Sequence, residues 1–214
     1  MRPDLPSLLV IDTATEACSV ALFDDDHLVA SDHAIMGRGH AERLVPMIAS
    51  LPGRGQAQAI LVNCGPGSFT GVRVGLAAAR ALALAWGVPV TGYSTHRLVA
   101  AMALDQSPGA SGVDVVMTGG HGEYFTQAFD GMGEPTGALA SLAPDAARGT
   151  CTQHLVAGSM AAALVEARGE GDARVLMPDA RQALLLPPAA RALPADPLYG
   201  RGADAKPMAT AIPG

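Results

Sequence analysis

Lysine is almost missing from this sequence: among 214 residues Lys206 is the only one, and Lys plus Arg total 14 against 20 Asp plus Glu. The net charge of −6 argues against a chain that grips nucleic acid by itself, because phosphate binding needs clustered cations. Charged residues make up only 16% and aromatics 4%, yet the hydrophobic share of 49% excludes an intrinsically disordered chain. No uninterrupted apolar run approaches the roughly 20 residues of a membrane span. The run from Leu8 stops at Asp12, and the stretch 76–86 carries Arg80. Met1-Arg2-Pro3-Asp4 is not a cationic region followed by an apolar stretch, so no signal peptide is expected and a cytoplasmic protein without membrane contact is. Cys18, Cys64 and Cys151 are odd in number and lack CxxC spacing, which points to reduced, buried thiols and no zinc site. His33 and His40 have no neighbouring ligand set, and His121-Gly122-Glu123 lacks the PCxxC partner of zinc deaminases. Neither HExxH nor GxSxG occurs, which excludes hydrolases built on those plans.

What the chain does have is small residues, 41 Ala and 25 Gly, punctuated by 16 Pro. Residues 8–13, 17–23 and 28–34 read as three short strands in a meander, turned at Asp24-Asp25-Asp26. Leu44, Met47, Ile48 and Leu51 match the i, i+3, i+4, i+7 spacing of a helix that Pro46 kinks or begins. A strand at 59–64, a helix at 72–86, a strand at 88–93 and a helix to about 105, capped by Ser94 or Thr95, follow. Late strands that need crossover helices predict a mixed sheet. Residues 106–112 read as a linker between lobes spanning 1–105 and 106–214. The second series has strands at 113–118, 124–130, 136–142, 154–157 and 175–177, helices at 160–168 and 180–191, and a proline-rich tail from Pro194. Two series that each open with three strands predict a duplicated α/β fold, mixed sheets flanked by helices, whose second lobe is reduced.

The loop Gly65-Pro66-Gly67-Ser68-Phe69-Thr70-Gly71 turns strand into helix and can expose amides to an anion. It lacks the Lys-Ser or Lys-Thr of a Walker loop and the GxGxxG spacing. Its residues leave two readings open: a tight turn with Ser68 or Thr70 as helix cap, or a phosphate loop facing Asp12 and Thr13, where an acid can hold Mg²⁺. In the next helix Arg73 and Arg80 share a face with Ala77 and Leu84. The other faces carry Val74, Leu76, Ala78, Ala79, Leu82, Ala83 and Trp86, more apolar sides than one sheet needs. Such a helix is either sandwiched inside its own protein or covers a sheet and meets a partner.

Four segments then carry a resemblance: Asp12-Thr13-Ala14-Thr15, Gly39-His40-Ala41-Glu42-Arg43-Leu44-Val45-Pro46, the glycine loop continued through Val72-Arg73-Val74-Gly75, and Pro197-Leu198-Tyr199-Gly200-Arg201. They resemble the TsaB family, also called YeaZ, closely over the first hundred residues and loosely beyond. The resemblance implies two ribonuclease H-like lobes of the actin, Hsp70 and sugar-kinase superfamily. It also implies a non-catalytic partner of TsaD in forming N6-threonylcarbamoyladenosine at position 37 of tRNAs that read codons beginning with A, with tRNA met indirectly through the complex. TsaE would join with TsaD; ATP or ADP and a metal are expected on TsaD and TsaE, and no cofactor or metal on this chain alone. Members of the family pair with TsaD, or with themselves as homodimers, through first-lobe helices. That implies Leu44, Met47, Ile48, Leu51, Val72, Arg73, Leu76, Ala79, Arg80, Leu82, Ala83 and Trp86 at or near the contact. Asp12, Thr13, Gly65, Gly67, Ser68, Thr70 and Gly71 would form a vestigial phosphate loop. The family's second lobe usually opens with Asp-Ala-Arg-x-Gly-Glu-Val-Tyr, whereas here Met117-Thr118-Gly119-Gly120-His121-Gly122-Glu123-Tyr124 lacks the aspartate and the arginine. No HxxxH pair such as TsaD uses for its metal occurs. The alternative is an ATP-dependent phosphotransferase of the same superfamily, with Asp12 and Thr13 at a phosphate hairpin and Ala157-Gly158-Ser159 near an adenosine.

Overall fold

Strand β1 (Ser7–Asp12) alternates its side chains between two buried layers, and that alternation organises the first lobe. Leu9 and Ile11 join Val20, Leu22, Ile60 and Val62 on one face. Val10 joins Ala21, Phe23, Leu61 and Tyr93 on the other. The computed structural model describes residues 7–200. After β1 come β2 (Ala17–Asp24), β3 (His27–Ile35), α1 (His40–Ser50), β4 (Ala59–Asn63), α2 (Phe69–Trp86), β5 (Val90–Tyr93) and α3 (Thr95–Asp105). The sheet order is β3-β2-β1-β4-β5. The β1, β2 and β3 pairings are antiparallel, and β1–β4 and β4–β5 are parallel.

The second lobe repeats this plan with β6 (Gly112–Thr118), β7 (Tyr124–Asp130), β8 (Ala140–Leu142), α4 (Pro144–Thr150), β9 (Leu155–Ala157), α5 (Ala161–Arg168) and β10 (Asp172–Arg174). Its order, β8-β7-β6-β9-β10, has the same succession of antiparallel and parallel pairs. The expected duplication and mixed sheets are therefore present. Between the sheets lies α3, apolar on two sides: Leu98 and Met102 pack on the first sheet, and Val99, Ala100 and Ala103 on the second. Small residues on α3 let both sheets approach the same helix.

The differences from the sequence reading lie mostly in the second lobe. Helix α4 has no apolar stripe to announce it, burying only Ala147. The strand expected at 136–142 shrinks to its last three residues. The one expected at 175–177 is replaced by β10, a polar edge strand with an Arg174–Asp172 ion pair. The helix expected at 180–191 is two 3-10 turns, Ala180–Leu185 and Pro188–Arg191, separated where Pro187 and Pro188 interrupt the ladder. These turns and residues 193–200 return to the first lobe: Ala180, Ala183, Leu186 and Ala190 join Val10 and Phe23 in its core. Arg201 and Lys206 lie outside the described residues. At the start of α3, neither Ser94 nor Thr95 caps the helix by its side chain; Thr95 instead bonds Asn63.

The contact face needs a correction. Leu44, Met47, Ile48, Leu51, Val72, Leu76, Ala79 and Ala83 all lie in the first lobe's own core. Leu82 and Trp86 are half-buried against it. The apolar periodicity of α1 and α2 marks the side that meets the sheet, as it does for most surface helices. The free face of α2 carries Phe69, Arg73, Ala77, Arg80, Ala81, Leu84 and Ala85, with Phe69 68% and Leu84 87% exposed. By length and composition α2 could cross a membrane, but its packed inner side and its two arginines make it the cover of a sheet.

This orientation is testable by urea unfolding. Leu76→Ala should cost about 3 kcal/mol, whereas Leu84→Ala should stay within about 0.5 kcal/mol. Equal losses would mean that α2 is rotated from the position described.

Candidate functional site

The glycine loop is pinned to the β1–β2 hairpin at backbone distance. Ser68 N donates to Ala14 O at 2.7 Å, and Thr13 Oγ1 donates to Gly71 O at 2.7 Å. A Cβ on Gly67 would stand 2.0 Å from Ala14 O, and one on Gly71 2.2 Å from Thr13 O. Gly75, a turn further on, would strike Thr13 Oγ1 at 2.5 Å. These glycines therefore serve close approach of two backbones, the first of the two readings left open by the sequence. Ser68 is the cap, its Oγ accepting from Gly71 N at 3.2 Å; Thr70 is exposed and plays no part in it.

Beneath the loop, Asp12 is completely buried. Its Oδ2 accepts from Asn63 Nδ2 at 2.7 Å and from the Tyr93 hydroxyl at 2.6 Å. Its Oδ1 accepts from Ala14 N at 3.2 Å. Asn63 Oδ1 in turn accepts from Gly65 N at 2.7 Å and Thr95 Oγ1 at 2.9 Å. Burial outweighs the three hydrogen bonds and pushes the Asp12 carboxyl up to about 6. Burial and the neighbouring Asp12 raise the Tyr93 phenol well above its ordinary range, so it remains a donor. Asn63 and Tyr93 were not singled out in the sequence, and Thr95 only as a helix cap. Their signal was available: polar groups ending the parallel strands beside β1, the edge where open α/β sheets place their sites.

The second lobe mirrors the loop. Gly158, at φ 118°, is pressed against β6, where a Cβ would lie 2.3 Å from Val116 O. Ser159 Oγ accepts from Thr118 N at 2.9 Å and shares a 3.0 Å bond with Thr118 Oγ1. Ser141 Oγ donates to Glu123 at 2.5 Å. His96, buried on α3, donates from Nε2 to Phe125 O at 3.0 Å, and burial lowers it to about 4, so it is neutral.

Between the lobes is a cleft of about 810 Å³, walled by Thr15, Glu16, Ser68 and Phe69 on one side and by Thr118, His121 and Ser159 on the other. Gly67 and Ser68 reach it, whereas Asp12, Thr13, Gly65 and Gly71 are buried. The residues do not fit a metal-bound nucleotide held by Asp12, because both its oxygens are turned inward onto protein donors. Among the described residues no three His, Cys, Asp or Glu side chains gather as a metal site needs.

The cleft is also lined by residues 197–200 at the end of the returning segment 193–200. Leu193 pairs with Gly92, and Leu198 N donates to Cys64 O at 2.7 Å. Arg80 donates to Ala195 O at 2.6 Å and to the Asp196 carboxylate at 2.5 Å. Arg73 donates to the Tyr199 hydroxyl at 2.9 Å while its guanidinium lies 3.3 Å from the Phe69 ring centre. Residues 197–200 of the last resembling segment thus pack beside the third.

Two lobes that each repeat one five-stranded plan around a shared helix define the actin, Hsp70 and sugar-kinase class of fold. A family model, TsaD (tRNA N6-adenosine threonylcarbamoyltransferase), matches residues 33–163, more than half of the chain, and the chain belongs to that family. It is 42% identical over 93 residues to the tRNA threonylcarbamoyladenosine biosynthesis protein TsaB of Escherichia coli, covering 41% of this chain and 40% of that one. With TsaB of Haemophilus influenzae it shares 35% over 129 residues, covering 56% and 53%. The chain spans about half the length of these curated relatives. The solved structure of YeaZ from Pseudomonas aeruginosa is similar at a TM-score of 0.74 and 29% identity, covering 90% of this chain and 100% of that one. The resemblance to TsaB read from the sequence is borne out.

The buried carboxyl has a pH consequence. The native Asp12 holds its proton up to about pH 6, and the unfolded one releases it near 3.8. Its contribution to stability is complete below pH 3.8 and is lost as pH rises towards 6. Asp12→Asn should therefore gain stability relative to wild type between pH 4 and 6, by about 3 kcal/mol in all. Above pH 6 the difference should be flat. Thermal unfolding in steps across that range measures it, and a difference constant throughout would show that the carboxyl is solvated.

Proposed function

We propose that this chain acts in tRNA threonylcarbamoyladenosine biosynthesis as a non-catalytic subunit, docking a TsaD-type transferase on the outer face of α2. The observation that carries the docking role is that face itself. Eighteen residues of helix leave Phe69, Ala77, Ala81, Leu84 and Ala85 uncovered on one face of a single element. The pathway follows from the similarity to proteins named for it. The absence of catalysis is supported by Asp12, the acid expected at the phosphate hairpin, being sealed by Asn63 and Tyr93. Nucleotide and metal then belong to the transferase and to a TsaE-type partner, and the tRNA to the complex, in keeping with a net charge of −6. A cytoplasmic location follows from the same role.

The test is to mix the chain with its cognate TsaD-type transferase and assay tRNA that lacks the modification. Co-elution and chain-dependent modification are expected, both lost in Leu84→Glu, whose site lies outside the core. Calorimetry with ATP and Mg²⁺ should show no binding to the isolated chain. Tight binding, with turnover abolished by Asp12→Ala, would favour the phosphotransferase instead.

A further inference from the structure

On the exposed arc of α2, Leu84, Ala77 and Ala81 lie at the centre, while Phe69, Arg73 and Arg80 share one margin, positions that helical geometry sets side by side. Segment 193–200 runs along that margin, held by Arg80 through Ala195 O and Asp196 and by Arg73 through Tyr199. Its outer residues are open: Leu198 is 36% and Tyr199 58% exposed, beside Phe69 at 68%. Leu198 and Tyr199 thus extend the exposed surface of α2 beyond a margin that also carries the exposed Arg73 and the Arg80–Asp196 ion pair. Arg73 has no carboxylate partner among the described residues; a hydroxyl and an aromatic ring are its company.

We propose that residues 193–200 are one rim of the docking face, so that the transferase seats on helix and segment together. This rests on the docking reading given above. The occupant is a transferase helix that sets small apolar residues against Ala77, Ala81 and Leu84 and a carboxylate against Arg73. A guanidinium already stacked and hydrogen-bonded loses little freedom on pairing, and arginine–aromatic clusters dominate many interfaces. A second copy of the chain fits less well, because its α2 carries no carboxylate to set against Arg73.

Hydrogen exchange of the wild-type chain, alone and with the cognate transferase, reads the rim directly. Peptides covering α2 and residues 193–200 should both gain protection in the complex. The double variant Asp196→Ala with Tyr199→Ala should raise Kd about tenfold, whereas Leu84→Glu abolishes binding. Protection confined to α2, or an unchanged Kd in the double variant, overturns the rim and leaves the docking reading standing. No binding by the wild-type chain overturns both. Protection of both peptides in the chain alone, rising with its concentration, would assign the face to a second copy and overturn the proposed occupant.

Discussion

The contact between the glycine loop and the β1–β2 hairpin is made of backbone, and everything around it is placed by that fact. Where Gly67 and Gly71 meet Ala14 O and Thr13 O there is no room for a single methyl group. The N-terminus of α2 is consequently fixed to the end of β1, and with it the rotation of the helix. That rotation decides which residues enter the core and which face outward. It also fixes Phe69 and Arg73 at the mouth of the cleft, where the returning segment finds them. An added Cβ at either glycine would displace all of these at once.

The duplicated architecture has one unequal element. In the first lobe α1 and α2 run for 11 and 18 residues, whereas their counterparts α4 and α5 have 7 and 8. Shorter helices cover less of the second sheet. The deficit is offset where α3 lies between the lobes, since its Ala100 and Ala103 bring the second sheet onto a helix already packed on the first. This accounts for some of the alanine in the sequence: it marks places where two layers share one wall.

Much of the first lobe was legible because its signals are strong. Alternation in β1 and β2, Gly87 and Pro89 after α2, and the turn at Asp24-Asp25-Asp26 each name one structure. The second lobe was less legible, since three-residue strands and seven-residue helices are too short for a period to emerge, and β10 is polar. In the candidate site Ser68 could be read as a cap. The fate of Asp12 could not, because its partners Asn63 and Tyr93 are 51 and 81 residues away in sequence. The buried members of the expected contact set have a different origin. Periodicity finds the stripe that is buried and is silent on whether the cover is the protein's own sheet or another molecule, so the resemblance put Leu44 and Leu76 at the contact, while Leu84, noted only as sharing a face with Arg73 and Arg80, was left out of it.

The return of residues 180–200 to the first lobe has a consequence for synthesis. The first lobe is built from two stretches of chain with the whole second lobe threaded between them, so Val10 and Phe23 must wait for Ala180 and Leu186. A ribosome that has released only residues 7–105 has made the sheet and α3 but not the 180–190 turns that complete the layer on one of its faces. Contacts this distant slow folding, and during translation that face would be open to chaperones or to misassembly. Completion of the lobe waits for residues 180–190, so a product cut short before them would expose an apolar sheet face rather than survive as a smaller, soluble fragment.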